Sequence, residues 1–179
     1  NLLKCEKLMK YYWNLGFRLL FAVVFVVFYE FFYSVIYPLT VYPAYFLINL
    51  FYDAYLVNNS IFISGIVINI IPACIAGIAY ALLLFLIIFT KGISLKKSVR
   101  MFLFGSLLIL LMNILRIDLL IFVLLEFGSD LFDKIHLVFW NFISGLYVAF
   151  VWIFLVKKFK VKSIPVVSDV KELYKRINP

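Results

Sequence analysis

The stretch MFLFGSLLILLMNILR, residues 101–116, decides the fold class because it is apolar almost throughout and follows a basic segment, KGISLKKSVR, at 91–100. The rest of the chain shares this character. Of its 179 residues 66% are hydrophobic, and the mean hydropathy is +1.11. A water-soluble domain of this length could not bury so much apolar surface, whereas a lipid bilayer solvates it. The composition therefore predicts a single polytopic membrane domain over 1–162 and a basic cytoplasmic tail over 163–179.

Most of the basic residues fall into three blocks, Lys4–Arg18, Lys91–Arg100 and Lys157–Arg176. No Lys or Arg lies between Arg18 and Lys91. Because positive charge collects on the cytoplasmic side, all three blocks and both chain termini are predicted to be cytoplasmic in a multi-pass plasma-membrane protein. This placement explains the net charge of +8. We therefore expect the lipid bilayer, and no nucleic acid, as the partner of the basic segments.

Because all three basic blocks are predicted to be cytoplasmic, the chain must cross the membrane an even number of times between one block and the next. The chain is accordingly predicted to be an all-α integral membrane protein, a polytopic bundle of about 4–6 transmembrane helices. The expected spans are Leu19–Tyr37, Pro72–Thr90, Met101–Arg116 and His136–Val156. The acidic residues of 117–135 place that segment outside the membrane or partway into it.

Two further segments are predicted to lie at the outer interface. Residues 38–57 are aromatic and are interrupted by Pro38 and Pro43, which favours an interfacial position. Residues 61–71, IFISGIVINII, are rich in β-branched side chains around a Ser-Gly pair and predict a short outer β-hairpin. An alternative count makes 38–57 a span, paired with a shorter one over 58–73.

Three reactive side chains are predicted to lie at one depth. Counted along helices from the basic blocks, Cys74, Arg116 and His136 lie roughly 26, 24 and 32 Å above the cytoplasmic face. All three therefore fall near the outer boundary of a hydrocarbon core about 30 Å thick. His136 is the only histidine of the chain. The other cysteine, Cys5, is expected on the opposite side of the membrane, so no disulfide is predicted.

Helix direction adds chemistry to this position. Pro72 suits the first position of a helix, which would place Cys74 in a first turn whose free N–H groups favour a thiolate. His136 is expected to open its own helix, with Asp130 or Asp133 as the cap, and to be a neutral base.

Arg116 is expected to end an outward helix, where the negative helix end stabilises its charge. Asn113 lies on the same face and can orient the guanidinium or bind substrate backbone. Glu30, about 18 Å above Arg18 along the first span, is a further candidate for binding or orienting substrate because a charge there is costly. It could equally be a counter-ion for Arg116 or a polar contact between helices.

Each of these residues also has an ordinary structural explanation. A lone cysteine packs like a small apolar residue, an arginine near a helix end extends toward the headgroups, and an interfacial histidine can be structural. Such roles would scatter the three residues in depth, so their shared level favours a functional site.

Three motifs in this order resemble the exosortase/archaeosortase family of membrane cysteine transpeptidases. They are PACIAG at 72–77, NILR at 113–116 and HLVFWNFISG at 136–145. The resemblance covers about residues 57–156 and is to a short, divergent archaeosortase-like member. Many members have Ser or Thr and then Gly directly after the cysteine, whereas this chain has Ile75-Ala76-Gly77.

The resemblance implies a cysteine peptidase or transpeptidase of protein sorting and cell-surface anchoring. Its substrates would be proteins with a C-terminal motif, a transmembrane helix and a basic cluster, cleaved at the extracytoplasmic face. The product would pass through a thioester to an acceptor such as a lipid. By this resemblance Cys74 is the nucleophile, Arg116 the oxyanion-stabilising or substrate-binding cation, and His136 the acid/base. No cofactor and no metal are expected.

Two other functions fit parts of the sequence. A small non-enzymatic membrane protein, such as a transporter component, could bind a polar ligand through Arg116 and Glu30. A metal-binding protein could use Cys74 and His136, but one Cys and one His make a poor site, so this hypothesis ranks last.

Overall fold

The structure is a computed structural model, and it describes residues 16, 20, 29–90 and 93–161. Residues 19 and 21–28 of the predicted first span, Cys5 and the tail over 163–179 lie outside these residues. The described part is mainly helical and contains one small antiparallel sheet. Its elements in chain order are α1 (Tyr29–Asn49), β1 (Ala54–Val57), β2 (Ser60–Ile63), β3 (Ile66–Asn69), a 3₁₀ turn (Pro72–Ile75), α2 (Gly77–Ile88), α3 (Leu95–Phe127), α4 (Ser129–Val138), a π turn (Phe139–Ile143) and α5 (Ser144–Lys158).

Helix α1 runs through both of its prolines, so the prediction that Pro38 and Pro43 interrupt the chain is wrong. Each proline removes one backbone hydrogen bond from the helix. One face of α1 is buried along residues four apart, among them Thr40, Ala44 and Ile48. This continuous packed face stabilises the helix in spite of the two missing donors.

The hairpin predicted from residues 61–71 is confirmed. Strands β2 and β3 pair antiparallel around Ser64 and Gly65, whose φ angles of 49° and 80° are those of a tight two-residue hairpin turn. A third strand, β1, pairs with β2 and was not predicted. The inner face of the sheet, including Ile61 and Ile63, is buried in the core.

The prediction of an all-α bundle with about 4–6 spans is wrong. Besides the sheet, the described residues contain one helix that is long and apolar enough to cross a membrane, α3. The expected helix over 72–90 is divided into a 3₁₀ turn and the 12-residue α2. Helix α3 instead continues beyond Arg116 through most of the segment expected outside the membrane, and Gly128, at φ 83°, turns the chain into α4.

Helix α3 is the centre of the structure and packs against α1, α2, α4 and α5. A Cβ atom at Gly105 would lie 2.6 Å from Leu83 Cδ2 and 2.8 Å from Leu155 Cδ1. The glycine therefore permits the close approach of α2 and α5 to α3. Tyr147 of α5 also donates a hydrogen bond to the Leu108 carbonyl, 2.9 Å away. These contacts hold α2 and α5 against α3, the helix that carries Arg116.

Candidate functional site

Cys74 lies in the one-turn 3₁₀ helix that joins the sheet to α2. Pro72 opens this turn, and Ala76, in the left-handed region at φ 55°, ends it. The Cys74 N–H donates to the Ile71 carbonyl at 2.8 Å. Helix α2 begins only at Gly77, so the prediction that Cys74 lies in the first turn of a long helix is wrong. The dipole of α2 is consequently not the feature that would activate the thiol.

The carbonyl oxygen of Cys74 is bound by two side chains of α3. Asn113 Nδ2 donates to it at 2.9 Å, and Arg116 Nη2 donates to it at 3.2 Å. The two donors are one helical turn apart and therefore share a face of α3. The structure thus brings the PACIAG and NILR motifs together.

Arg116 lies in the middle of α3, so the prediction that it ends a helix is wrong. Its side chain is only 7% exposed, and that of Asn113 only 4%. The Arg116 Nη1 donates to Ser144 Oγ at 3.4 Å, while its Nε has no hydrogen-bond partner. The guanidinium would also interact electrostatically with a thiolate at the half-buried Cys74. Its hydrogen-bond partners are all neutral, which leaves its charge available to a substrate.

Ser144 was not among the site residues predicted from the sequence. Its hydroxyl donates to the Phe139 carbonyl at 2.8 Å, across the π turn, while its oxygen faces Arg116. The residue lies inside the third motif, HLVFWNFISG. A hydroxyl next to a glycine in this apolar stretch is the signal that could have identified it.

A cavity of about 490 Å³ adjoins these residues. Arg116, Ser144 and Trp140 are the lining residues whose side chains contain polar atoms, and the wall is mainly apolar. Cys74 itself is not part of the wall, but its neighbours Ala73 and Ala76 are. The arrangement can therefore hold an apolar group beside the cysteine turn, with one buried cation directed at it.

His136 does not line this cavity and has no hydrogen bond to Cys74 or Arg116. It lies in the last turn of α4, where its ring packs on Phe132 with centroids 5.5 Å apart. The prediction that it opens a helix capped by Asp130 or Asp133 is also wrong, because α4 begins at Ser129 without a side-chain cap. The structure does not bring His136 together with Cys74 or Arg116.

Glu30 also has no hydrogen bond or ion pair with the residues of the site. It is exposed in the first turn of α1 and does not contact Arg116. Among the described residues, no group of three or more His, Cys, Asp or Glu side chains could hold a metal ion. The Arg116–Glu30 and Cys74–His136 pairs of the two other hypotheses are therefore not formed in this structure.

Comparisons of the chain with protein-family models, with curated proteins and with solved structures found no match. An assignment of function to this chain therefore depends on its own motifs and on the geometry of the site.

Proposed function

We propose that the chain is a membrane-embedded cysteine peptidase or transpeptidase that resembles the exosortase/archaeosortase family. The observation that carries this proposal is the pair of hydrogen bonds from Asn113 and Arg116 to the Cys74 carbonyl. They join the first two motifs beside a cavity of about 490 Å³. A buried cation next to a thiol is the combination that stabilises a thiolate and an oxyanion.

In the proposed reaction the Cys74 thiolate attacks a peptide carbonyl of the substrate and forms a tetrahedral intermediate. Arg116 stabilises the negative oxygen of this intermediate because its charge is permanent and the residue lines the cavity. The peptide C–N bond then breaks, the amine leaves with a proton, and a thioester remains. An acceptor, such as a lipid amine or hydroxyl, attacks the thioester and releases the thiol.

The motif resemblance gives the acid/base role to His136. Its ring packs on Phe132 rather than on the cysteine turn. Catalytic hydrogen bonds are often long before substrate binds, so the role is best tested directly. His136→Gln should reduce processing by about 10²–10⁴-fold if the imidazole transfers the proton. Unchanged processing would remove His136 from the mechanism.

We propose that α3 crosses the membrane. One face carries Leu103, Leu107, Leu111 and Leu115, four residues apart and each between 50% and 64% exposed. Such an apolar stripe is unfavourable in water and favourable in lipid. With the basic residues near Lys96 in the cytoplasm, the rise of the helix puts Arg116 about 24 Å above Arg100, close to the extracytoplasmic face.

Orientation is tested with impermeant thiol labels in intact cells. In a chain without native cysteines, Ser129→Cys should label from outside and Lys96→Cys should label only after permeabilisation. These positions flank α3 at its two ends, so each is the control for the other. Labelling of position 96 from outside would overturn the orientation and the location of the site.

The proposed substrates are proteins with a C-terminal motif, a transmembrane helix and a basic cluster. Such a protein presents an apolar segment next to the cleavage point, and the mainly apolar cavity wall suits it. The substrate for the test is a protein of this kind from the same genome, co-expressed with the chain. Loss of its tail is followed as a gel shift.

Cys74→Ala and Cys74→Ser should both abolish processing, because a serine hydroxyl is a much poorer nucleophile than a thiolate near neutral pH. Cys5→Ala is the matched control and should process normally. Arg116→Lys should be severely impaired, because an ammonium keeps the charge but loses the planar fork. Processing that persists in Cys74→Ala would overturn the enzymatic proposal.

A non-enzymatic role in binding a polar ligand is the second candidate. This candidate is favoured because Arg116 has neutral hydrogen-bond partners and lines the cavity, where its charge can bind an anion. This function predicts that Cys74→Ala is tolerated while Arg116→Gln abolishes binding. The two candidates therefore differ in their response to one substitution.

A further inference from the structure

Ser144 is the first residue of α5, directly after the π turn, and it has two hydrogen bonds to the same carbonyl. Its backbone N–H and its Oγ both donate to the Phe139 carbonyl oxygen, the Oγ at 2.8 Å. A serine hydroxyl has one proton and two lone pairs. Because the proton is directed to Phe139, the Ser144 oxygen can only accept from Arg116 Nη1, 3.4 Å away.

The two ends of the guanidinium fork are therefore bound by two different elements. Nη2 donates to the Cys74 carbonyl of the 3₁₀ turn, and Nη1 donates to Ser144 of α5. Both acceptors are neutral. A carboxylate in either position would orient the guanidinium equally well but would cancel its charge. This arrangement fixes the plane of Arg116 without reducing the positive potential at Cys74.

The π turn explains how Ser144 reaches this position. Residues 139–143 contain one residue more per turn than an α-helix, which rotates everything after them relative to α4. The Phe139 carbonyl is thereby directed at Ser144. Single π turns of this kind are frequent at functional sites.

We infer that Ser144 is a positioning residue of the cysteine site, which acts through Arg116 by holding Nη1 while Nη2 contacts the Cys74 turn. The inference rests on the proposed function, since it concerns the potential that Arg116 provides at the nucleophile. It predicts that removal of the hydroxyl lets the guanidinium rotate away from Cys74.

The experiment measures the potential at Cys74 without any substrate. The full chain carrying Cys5→Ala is solubilised in detergent, and Cys74 is modified with two thiol reagents. One is methyl methanethiosulfonate, which is uncharged, and the other is its anionic 2-sulfonatoethyl analogue. In both reactions the thiolate displaces a sulfinate and forms a mixed disulfide. The ratio of the rate with the anionic reagent to the rate with the uncharged reagent reports the local electrostatic potential. The rate with the uncharged reagent alone reports how accessible the Cys74 thiol is.

Arg116→Gln should lower this ratio by about fivefold, the factor that one unit charge about 4 Å away produces in water. Ser144→Ala should lower it in the same direction, and Ser144→Thr, which keeps the hydroxyl, should restore it. Ser106→Ala is the matched control, because its hydroxyl is buried and has no partner. It should leave the ratio unchanged.

A wild-type ratio in Ser144→Ala, or an unchanged ratio in Arg116→Gln, would overturn the inference. A general loss of packing would change the rate with the uncharged reagent but not the ratio of the two rates. Ser144→Thr would not restore the wild-type values in that case. The proposed enzymatic function fails on a different result, the persistence of processing in Cys74→Ala. The two failures are therefore distinguishable.

Discussion

Asn113 Nδ2 lies 2.9 Å from the carbonyl oxygen of Cys74, although the two residues are 39 positions apart in the chain. Asn113 is only 4% exposed, and its own Oδ1 has no partner. A buried amide therefore attaches the cysteine turn to the central helix α3. Of the two side chains that hold this carbonyl, Asn113 makes the shorter hydrogen bond.

Asn113→Ala should consequently destabilise the fold and displace the cysteine turn. Loss of a buried hydrogen bond costs about 1–3 kcal/mol of unfolding free energy. Arg116 still binds the Cys74 carbonyl in this variant, so the protein should fold. Thermal unfolding in detergent measures the first effect, and the rate of Cys74 modification by an uncharged thiol reagent measures the second. An unchanged melting temperature together with an unchanged rate would contradict this role.

Gly105 should tolerate no larger side chain. In Gly105→Ala the new Cβ would meet δ-carbons of Leu83 and Leu155 at less than 3 Å, and both leucines are fully buried. Overpacking of this kind costs about 1–3 kcal/mol. Leu83→Val in the same chain removes the nearer δ-carbon and should recover part of the loss.

The matched control for this prediction is Gly145→Ala. Gly145 is also helical, but an added Cβ would meet nothing within 4 Å. Alanine there should be neutral or should raise stability by about 0.5–1 kcal/mol, since glycine disfavours the helix. Equal melting temperatures for the two alanine variants would show that α2 and α5 do not approach α3 at Gly105.

Ala76 should respond to substitution in the opposite sense from a helical alanine. Its φ of 55° is costly for a residue with a Cβ. Ala76→Gly should therefore raise the unfolding free energy by up to about 1 kcal/mol, and Ala76→Val should lower it. Ala79→Gly, three residues later inside α2, should instead destabilise by about 0.5–1 kcal/mol. A loss of stability in both glycine variants would argue against the left-handed conformation at Ala76.

Local chemistry was readable from the sequence. The Ser64-Gly65 pair predicted the hairpin because two residues of positive φ are what such a turn requires. The spacing of Asn113 and Arg116 predicted a shared helix face, and the counted depth of Arg116 placed it at the level of Cys74. These inferences depend on helical period and turn geometry, which the sequence carries directly.

The boundaries of the helices were not readable. Arg116 was expected to end its helix because acidic residues follow from Asp118 onward and because the negative helix end would stabilise its charge. In the structure two neutral acceptors on other elements bind the guanidinium, so α3 continues to Phe127. The break at Ala76 was missed because the residue there is not glycine. The π turn before Ser144 has no compositional signal at all. These features arise from tertiary contacts.

The last prediction concerns pH and the contact between Tyr52 and Glu126. Tyr52 Oη donates to Glu126 Oε1 at 2.8 Å and so ties the segment after α1 to the end of α3. The hydrogen bond, with smaller contributions from partial desolvation and from the carboxylate charge, raises the pKa of Tyr52 above its usual value of about 10.

The neutral phenol is thus favoured in the folded state. Its stabilising contribution is present below the unfolded pKa and is lost as the pH rises through the folded one. We expect the coupling between Tyr52→Phe and Glu126→Gln in a double-mutant cycle of melting temperatures to be favourable near about pH 8, well below the usual tyrosine pKa of about 10, and to be lost as the pH rises through the raised pKa of Tyr52. The cycle cancels the titration of the other tyrosines and lysines, which are present in all four chains. A coupling that stays constant over this range, or that is absent at the lower pH, would mean that the Tyr52 phenol does not donate a hydrogen bond to the Glu126 carboxylate.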